Sequence, residues 1–574
     1  MRLINTETLE IQDHGDRPPP YAILSHAWGP EEVTFQDCTP NPHKTSSKFG
    51  FAKFKGACAQ ARKDGYDHLW IDTNCIDKTS STELYEAINS MFKWYDKAHR
   101  CYAYLSDVAD DSVYFDKSGT PKVTESFRRS KWFTRGWTLQ ELLAPRDVVF
   151  FSRNWQRLGT KLELQVPLSE ITFMPIDYLV NKTELRAASV AQRMSWMSKR
   201  ETTQPEDMAY SILGIFGIFI PIIYGEGIHA FLRLQKAIME KNDDHSIFCW
   251  EWDHTVDPSW ASVFAPSPRA FANSAKYSPK PWSNGDIATP YHIRNGGLSI
   301  ALPLVQTADP SVVLAMLDVE VYDGERNDFQ VGIPLQIGPM YQRLPFPLHP
   351  VQVNGNFLAG EKNVLINTTE NGHGHRLSSR LLADQENQSS RLFSDLQRAA
   401  RARVGFFLAF HLDGCEIEHI STQPGVELIR TVSMVAFIDP VAGSDSSTFM
   451  ATALKIKHKT IGETVVLLAT MTRQGSGYLF FSQALPPNRR RTKESIDSAL
   501  AKLRERSARE DGDKSYQSGR ELCVTMGGSF PLSGNGGPTV KTVQVWVNKA
   551  AKSINPVQRV RAGLLGLKRT LSRS

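Results

Sequence analysis

Glu141 is the residue of this chain whose sequence surroundings most invite chemistry. It falls in the run Arg135-Gly-Trp-Thr-Leu-Gln-Glu-Leu-Leu143, where Leu139, Leu142 and Leu143 mark the packed side of a helix. A carboxylate on that side is costly to bury unless it is paired, and Arg135 is the partner the sequence offers. Two roles stay open for it, a structural ion pair and a catalytic carboxylate. Two earlier blocks, Leu24-Ser-His-Ala-Trp-Gly29 and Leu69-Trp-Ile-Asp-Thr-Asn-Cys-Ile-Asp77, supply further polar residues. Ser25, Trp28, Asp72, Asn74, Cys75, Arg135 and Trp137 form the candidate substrate-binding set, because indole rings stack on flat ligands and guanidinium pairs with phosphate. Each also has a plain structural reading. Trp28 and Trp137 can fill the core, Cys75 can be a small buried hydrophobe, and Asp72 or Asp77 can cap a helix. The chain has no GxxxxGK[ST], HExxH or GxSxG motif, and no GxGxxG between a strand and a helix. No metal site is expected, since His, Cys and carboxylates do not cluster at ligand spacing. His373 and His375 read as a solvated turn.

The elements that must position these residues alternate. Tyr21–Ser25, His68–Ile71, Arg100–Leu105 and Val148–Phe151 read as strands. Phe51–Asp64, Glu83–Ala98 and Trp137–Leu143 carry helical periodicity. Strands separated by helices imply an α/β domain with a mostly parallel sheet. Ligands bind such sheets at the carboxyl ends of the strands, where Ser25, Trp28, Asp72, Asn74 and Cys75 fall. Residues 185–241 read as helical. Beyond Trp250, Pro and Gly become frequent and strand-like runs recur, which predicts a β-rich region. The divisions expected are therefore 1–160 for the α/β domain, 161–250 for a helical segment, 251–548 for the β-rich region and 549–574 for a basic tail. Residues 371–400 and 486–520 are polar and read as loops or disordered inserts.

Composition narrows the class. The chain has 574 residues, 41% hydrophobic and 22% charged, with a formal net charge of +5. That is ordinary for a globular protein and too weakly basic to announce nucleic-acid binding. Seven cysteines without a CxxC pair argue against a disulfide framework or zinc ribbon. The N-terminus lacks an apolar signal core, and the longest apolar stretch, Ile212–Tyr224, falls short of the ~20 residues that cross a bilayer. A cytoplasmic protein is the expectation. The tail, with basic residues from Lys549 to Arg573 and no acid, offers contact with nucleic acid or membrane as the lesser reading and a solvated terminus as the greater.

The three blocks together resemble the HET (heterokaryon incompatibility) domain family of filamentous fungi. Its usual signatures look like LSYxWG, WIDxxCIDQ and RGWTLQE, and here they stand as Leu24–Gly29, Trp70–Lys78 and Arg135–Glu141. The chain departs at His26, where Tyr is usual, and at Lys78, where Gln is usual. Ala191–Gly214 and Tyr224–Gly227 resemble the helical segment that commonly follows the domain, so the resemblance covers roughly residues 1–250. It implies an effector of programmed cell death in fungal non-self recognition and innate immunity. HET domains are in turn distantly similar to TIR domains, flavodoxin-like modules of which many cleave NAD. Trp137-Thr-Leu-Gln-Glu-Leu142 matches the Trp-to-Glu spacing of the plant TIR segment. That resemblance implies a flavodoxin/TIR-like sheet, Glu141 as catalytic residue and NAD as substrate rather than cofactor. It also implies self-association and an unidentified protein partner. The competing expectation is a non-enzymatic interaction module that signals death by assembly alone.

Overall fold

Four short apolar runs form the centre of the N-terminal sheet. After the hairpin of β1 (Arg2–Asn5) and β2 (Ile11–Asp13) come β3 (Ala22–His26), β4 (His68–Trp70), β5 (Arg100–Tyr104), β6 (Val148–Phe151) and β7 (Arg157–Thr160). Every residue of β3 and β6 is buried, as expected of parallel strands covered on both faces. The sheet order is β2-β1-β4-β3-β5-β6-β7. The inner four run parallel, and the flanking pairs are antiparallel. In chain order the inner strands therefore stand second, first, third, fourth. The chain crosses one way from β3 to β4 and returns past β3 to β5. That reversal opens a crevice at the carboxyl ends of these strands.

The computed structural model describes residues 1–38, 47–252, 256–257, 260–280, 291–294, 297–307, 312–321, 329–344, 349–352, 361–369, 404–410, 415–422, 427–430, 434–438, 449–458, 462–473, 477–485, 493–509, 514–517, 522–531 and 539–547. It divides into two units, Met1–Trp250 with Phe264–Ala275, and Glu251–Val263 with Lys276–Ser574. Among the described residues no helix is long and apolar enough to cross a membrane. His373, His375 and the basic tail lie outside the described residues, as does the polar stretch 371–400.

Helices cover the first unit's sheet. The helix α1 (Phe51–Lys63) buries Phe54, Ala57, Cys58 and Ala61, one face of a 3.6-residue period. The longer α2 (Ser81–Lys97) starts at Ser80, whose side chain accepts from the Glu83 amide, and buries Ala87, Ile88, Met91 and Tyr95. The short α3 (Thr138–Leu143) is buried on every residue, Glu141 included. The stretch 185–241 is more broken than its periodicity predicts. It holds Val190–Met197 and His229–Met239, with single turns at Asp207–Tyr210 and Leu213–Phe216. Gly214 permits the last of these to lie on α2, since a Cβ there would fall inside the Phe92 side chain.

The second unit is β-rich and mostly antiparallel. Its described strands form a 13-stranded sheet around Gly297–Thr307 and Val312–Val321, and a 5-stranded sheet built on Phe449–His458, Gly462–Arg473 and Gly477–Leu485. The expected loop at 486–520 is corrected here. Residues Lys493–Ser507 form a helix and Lys514–Gln517 a strand. Ile496, Leu500 and Leu503, at helical spacing, pack on Ala451, Ala453, Val465, Leu467 and Ala469, which alternate along their strands. The small alanines leave room for that helix, and its burial outweighs the polar composition that suggested a loop.

Candidate functional site

The crevice predicted by the strand order is a cavity of about 300 Å³, at the lower end of the range for small-molecule sites. His26 and Trp28 reach it from the end of β3, Asp72 and Lys78 from the end of β4, and Tyr95 from α2. Arg135, Trp137, Thr138 and Glu141 line it from α3 and its approach, and Thr203, Gln204, Asp207 and Tyr224 close it. The wall thus draws on residues before and after position 160.

Asp72 stands among donors. Its Oδ1 faces His26 Nε2 at 3.1 Å, and its Oδ2 accepts from Trp28 Nε1 at 2.9 Å and Lys78 Nζ at 3.4 Å. Lys78 also sits 3.5 Å from the centre of the Trp28 ring, a cation–π contact. Behind His26, Lys53 Nζ lies 2.7 Å from Nδ1 and 2.5 Å from Glu32 Oε1. An ammonium only donates, so Nδ1 accepts and the imidazole proton is on Nε2, donated to Asp72. Burial works to raise the Asp72 carboxyl. Lys78, His26 and Trp28 outweigh it and hold the group well below the usual carboxylate range.

Glu141 has the opposite surroundings. Ser25 Oγ donates to its Oε2 at 2.5 Å and itself accepts from Trp132 Nε1 at 2.8 Å. The Tyr95 hydroxyl faces the same carboxyl while donating its single proton to the Leu24 carbonyl at 2.9 Å. Burial pushes Glu141 up to about 8. Ser25 and the buried Arg200 oppose that rise, and the negative charge of Asp72 adds to it. The Cys101 thiol donates to the Glu141 carbonyl oxygen at 3.8 Å.

Arg135 is not the partner of Glu141. Its guanidinium bonds Thr203 Oγ1 at 3.3 Å, and the cation behind Glu141 is Arg200, which donates to Thr138 Oγ1 and the Arg135 carbonyl. The reason is backbone pairing: Gly136 N bonds Glu201 O, and Glu201 N bonds Thr134 O. This pairing turns Arg135 outward and brings the Arg200 side chain in. Trp137 donates to Asp207 Oδ2 at 3.1 Å, with the Tyr224 hydroxyl on Oδ1 at 2.9 Å. Burial raises the Asp207 carboxyl against these two bonds. Glu206 accepts from the Gly225 and Gly227 amides and so holds the Tyr224 turn in place.

The candidate binding residues separate into three groups. Trp28, Asp72, Arg135, Trp137 and Glu141 line the cavity, and Trp28 is 52% exposed, which removes the reading of it as core filler. Ser25 lies one hydrogen bond behind, on Glu141. Asn74 and Cys75 are buried off the cavity wall. Asn74 Nδ2 donates to the Val33 carbonyl at 3.0 Å, and Cys75 Sγ accepts from the Ile71 amide. Burial pushes the Cys75 thiol up to about 12, so it is no thiolate. Both fasten the turn that presents Asp72. Sequence reasoning missed Tyr95, Arg200, Asp207 and Tyr224 as cavity or support residues. The last three lie in the two later segments that carry the resemblance, and that placement was the signal available. Among the described residues no group of His, Cys, Asp and Glu could hold a metal ion.

Comparison with known proteins finds partial matches. Residues 21–122 match the family described as heterokaryon incompatibility protein (HET). Over 250 residues, 42% of this chain, the sequence is 46% identical to the vegetative incompatibility protein HET-E-1 of Podospora anserina. The match spans 18% of that relative's length. Among solved structures, the lipid binding protein Nakanori aligns with 29% of this chain and 80% of its own, at 9% identity and a TM-score of 0.19, too low to carry an argument.

Proposed function

We propose a function from the premise that this chain, through its N-terminal region, belongs to the fungal heterokaryon incompatibility (HET) family. It acts in incompatibility, the programmed death that follows fusion of genetically unlike cells. Its N-terminal domain binds NAD or a related nucleotide and cleaves the N-glycosidic bond to nicotinamide. The observation that carries this reading is Glu141, a carboxyl buried on the wall of a cavity at the carboxyl ends of a parallel sheet. The second-first-third-fourth strand order supports a flavodoxin/TIR-like domain. Trp28 and Trp137 offer rings for stacking, and Lys78 and Arg135 offer cations for phosphates.

Breaking the nicotinamide–ribose bond develops positive charge on the ribose, and a carboxylate beside it stabilises that charge. Burial raises the Glu141 carboxyl to about 8, so it carries its proton at neutral pH. A bound nicotinamide ribosyl group is itself cationic, and an adjacent cation favours the charged carboxylate. Nicotinamide leaves as a neutral base and takes no proton. Self-association and an unidentified protein of non-self recognition complete the proposal. A second reading rests on the Ser25–Trp132–Arg200 network around Glu141, which suits a packed module that signals by assembly.

The test is nicotinamide release from NAD by the purified, concentrated chain beside its Glu141→Gln variant, both checked for folding by circular dichroism. Release by wild type only supports the enzyme. Equal background rates, with cell death intact for both, leave the assembly module.

A further inference from the structure

Two of the three carboxyls on the cavity wall, Asp72 and Glu141, are held in different states by their partners. Asp72 accepts from an imidazole N–H, an indole N–H and an ammonium, an arrangement only a carboxylate satisfies. Glu141 meets a hydroxyl that donates to it, Ser25, and another, Tyr95, whose proton is already given to Leu24. The cation behind Glu141, Arg200, gives its protons to Thr138 Oγ1 and the Arg135 carbonyl instead, so burial prevails and the carboxyl keeps its proton. An acid and an anion on one cavity wall is the pairing that divides proton donation from charge stabilisation.

We infer that the site also hydrolyses N-glycosides whose leaving base must be protonated, namely the adenine–ribose bond of adenine nucleotides, with Glu141 as proton donor and Asp72 as the anion beside the ribosyl cation. This rests on reading the cavity as an N-glycoside-cleaving site. The C1′–N9 bond breaks with its electron pair going to the base, and the base takes the Glu141 proton. Water adds through its oxygen to C1′ and returns a proton to Glu141. Nucleotide and water thus give free adenine and the ribose phosphate, with no oxidant or reductant. Asp72 stays ionised throughout, and His26 and Lys53 are positioning residues that keep its donors in place. Lys78 and Arg135 meet the phosphates. The titratable and charged groups facing Glu141 are Tyr95 from α2, Cys101 from β5, Asp72 and Arg200.

NAD contains both bonds, so one substrate separates the two chemistries. The full chain is incubated with NAD and, separately, with ATP between pH 6 and 9.5, and adenine and nicotinamide are quantified. Adenine release is expected from both, falling about tenfold per pH unit above the Glu141 transition. Glu141→Gln and Asp72→Asn, each with an unchanged circular dichroism spectrum, lower it by about 100-fold or more. Nicotinamide release alone, rising through the same pH range, overturns the inference and leaves the NAD reading standing. Adenine release insensitive to Glu141→Gln overturns it as well. No base from either nucleotide, by folded protein at high concentration, removes both readings.

Discussion

Asp72 and Glu141 line the same cavity and depart from ordinary carboxyl behaviour in opposite directions. Both are largely removed from water, so burial alone would raise both. What differs is the company. Asp72 gathers three donors, one of them the Lys78 ammonium, and stays charged. Glu141 gathers one donated hydroxyl bond, with Arg200 bonded elsewhere, and rises to about 8. The comparison teaches that desolvation sets the default and directed hydrogen bonds decide the departure from it. The resulting pair has an anion and an acid ready before any ligand binds.

The largest test of this contrast is Glu141→Gln. Turnover on whichever nucleotide is active should fall by ~10²–10⁴-fold. Stability should move the other way. A carboxyl raised from its ordinary range to about 8 favours the folded state below that range and loses this preference as pH rises to about 8. Removing it should raise the melting temperature above pH 8 and flatten that part of the pH–stability curve. A variant less stable than wild type at pH 9 would break the contrast.

Asp72→Asn comes next, at about 2 kcal/mol of lost stability near neutrality, because Lys78 and its neighbours are left without the anion. Asp72 is held low, so its contribution is fully present above the ordinary carboxylate range, begins to shrink there and is lost only as pH falls on through the depressed transition of the folded state. Urea unfolding at pH 7 and pH 3 should show the gap between the two proteins narrow in acid without closing. Ser25→Ala should cost about 1–2 kcal/mol, since the Trp132 indole loses its acceptor. It should also push the Glu141 transition higher, readable by carboxyl NMR or infrared titration. Lys78→Gln is the smallest, about 1 kcal/mol or less by thermal melting, because Lys78 is partly exposed and Asp72 keeps two other donors.

Much of the sheet was legible because parallel strands covered on both faces must be near-continuous apolar runs. Ala22–His26 and Val148–Phe151 have no other plausible role. The polar residues after β3 and β4 pointed to the strand ends for the same reason. Arg135 misled because proximity along the chain is a poor guide to pairing once a backbone bridge to Glu201 turns the side chain away. The helix at Lys493–Ser507 was obscured by its charged exposed face. Its three apolar residues gain their meaning only from the alanine-lined strands beneath them.

The sequence by itself determined the element order, the parallel core and the blocks that carry the site, because periodicity and apolar runs are local properties of the chain. Only the tertiary structure decided which carboxyl is charged. Ser25 and Glu141 are 116 residues apart in sequence, and Asp72 takes His26, Trp28 and Lys78 from two different strand ends. A carboxyl's proton depends on the donors and the solvent within a few ångströms of it, and those neighbours exist only after the strands have crossed and returned.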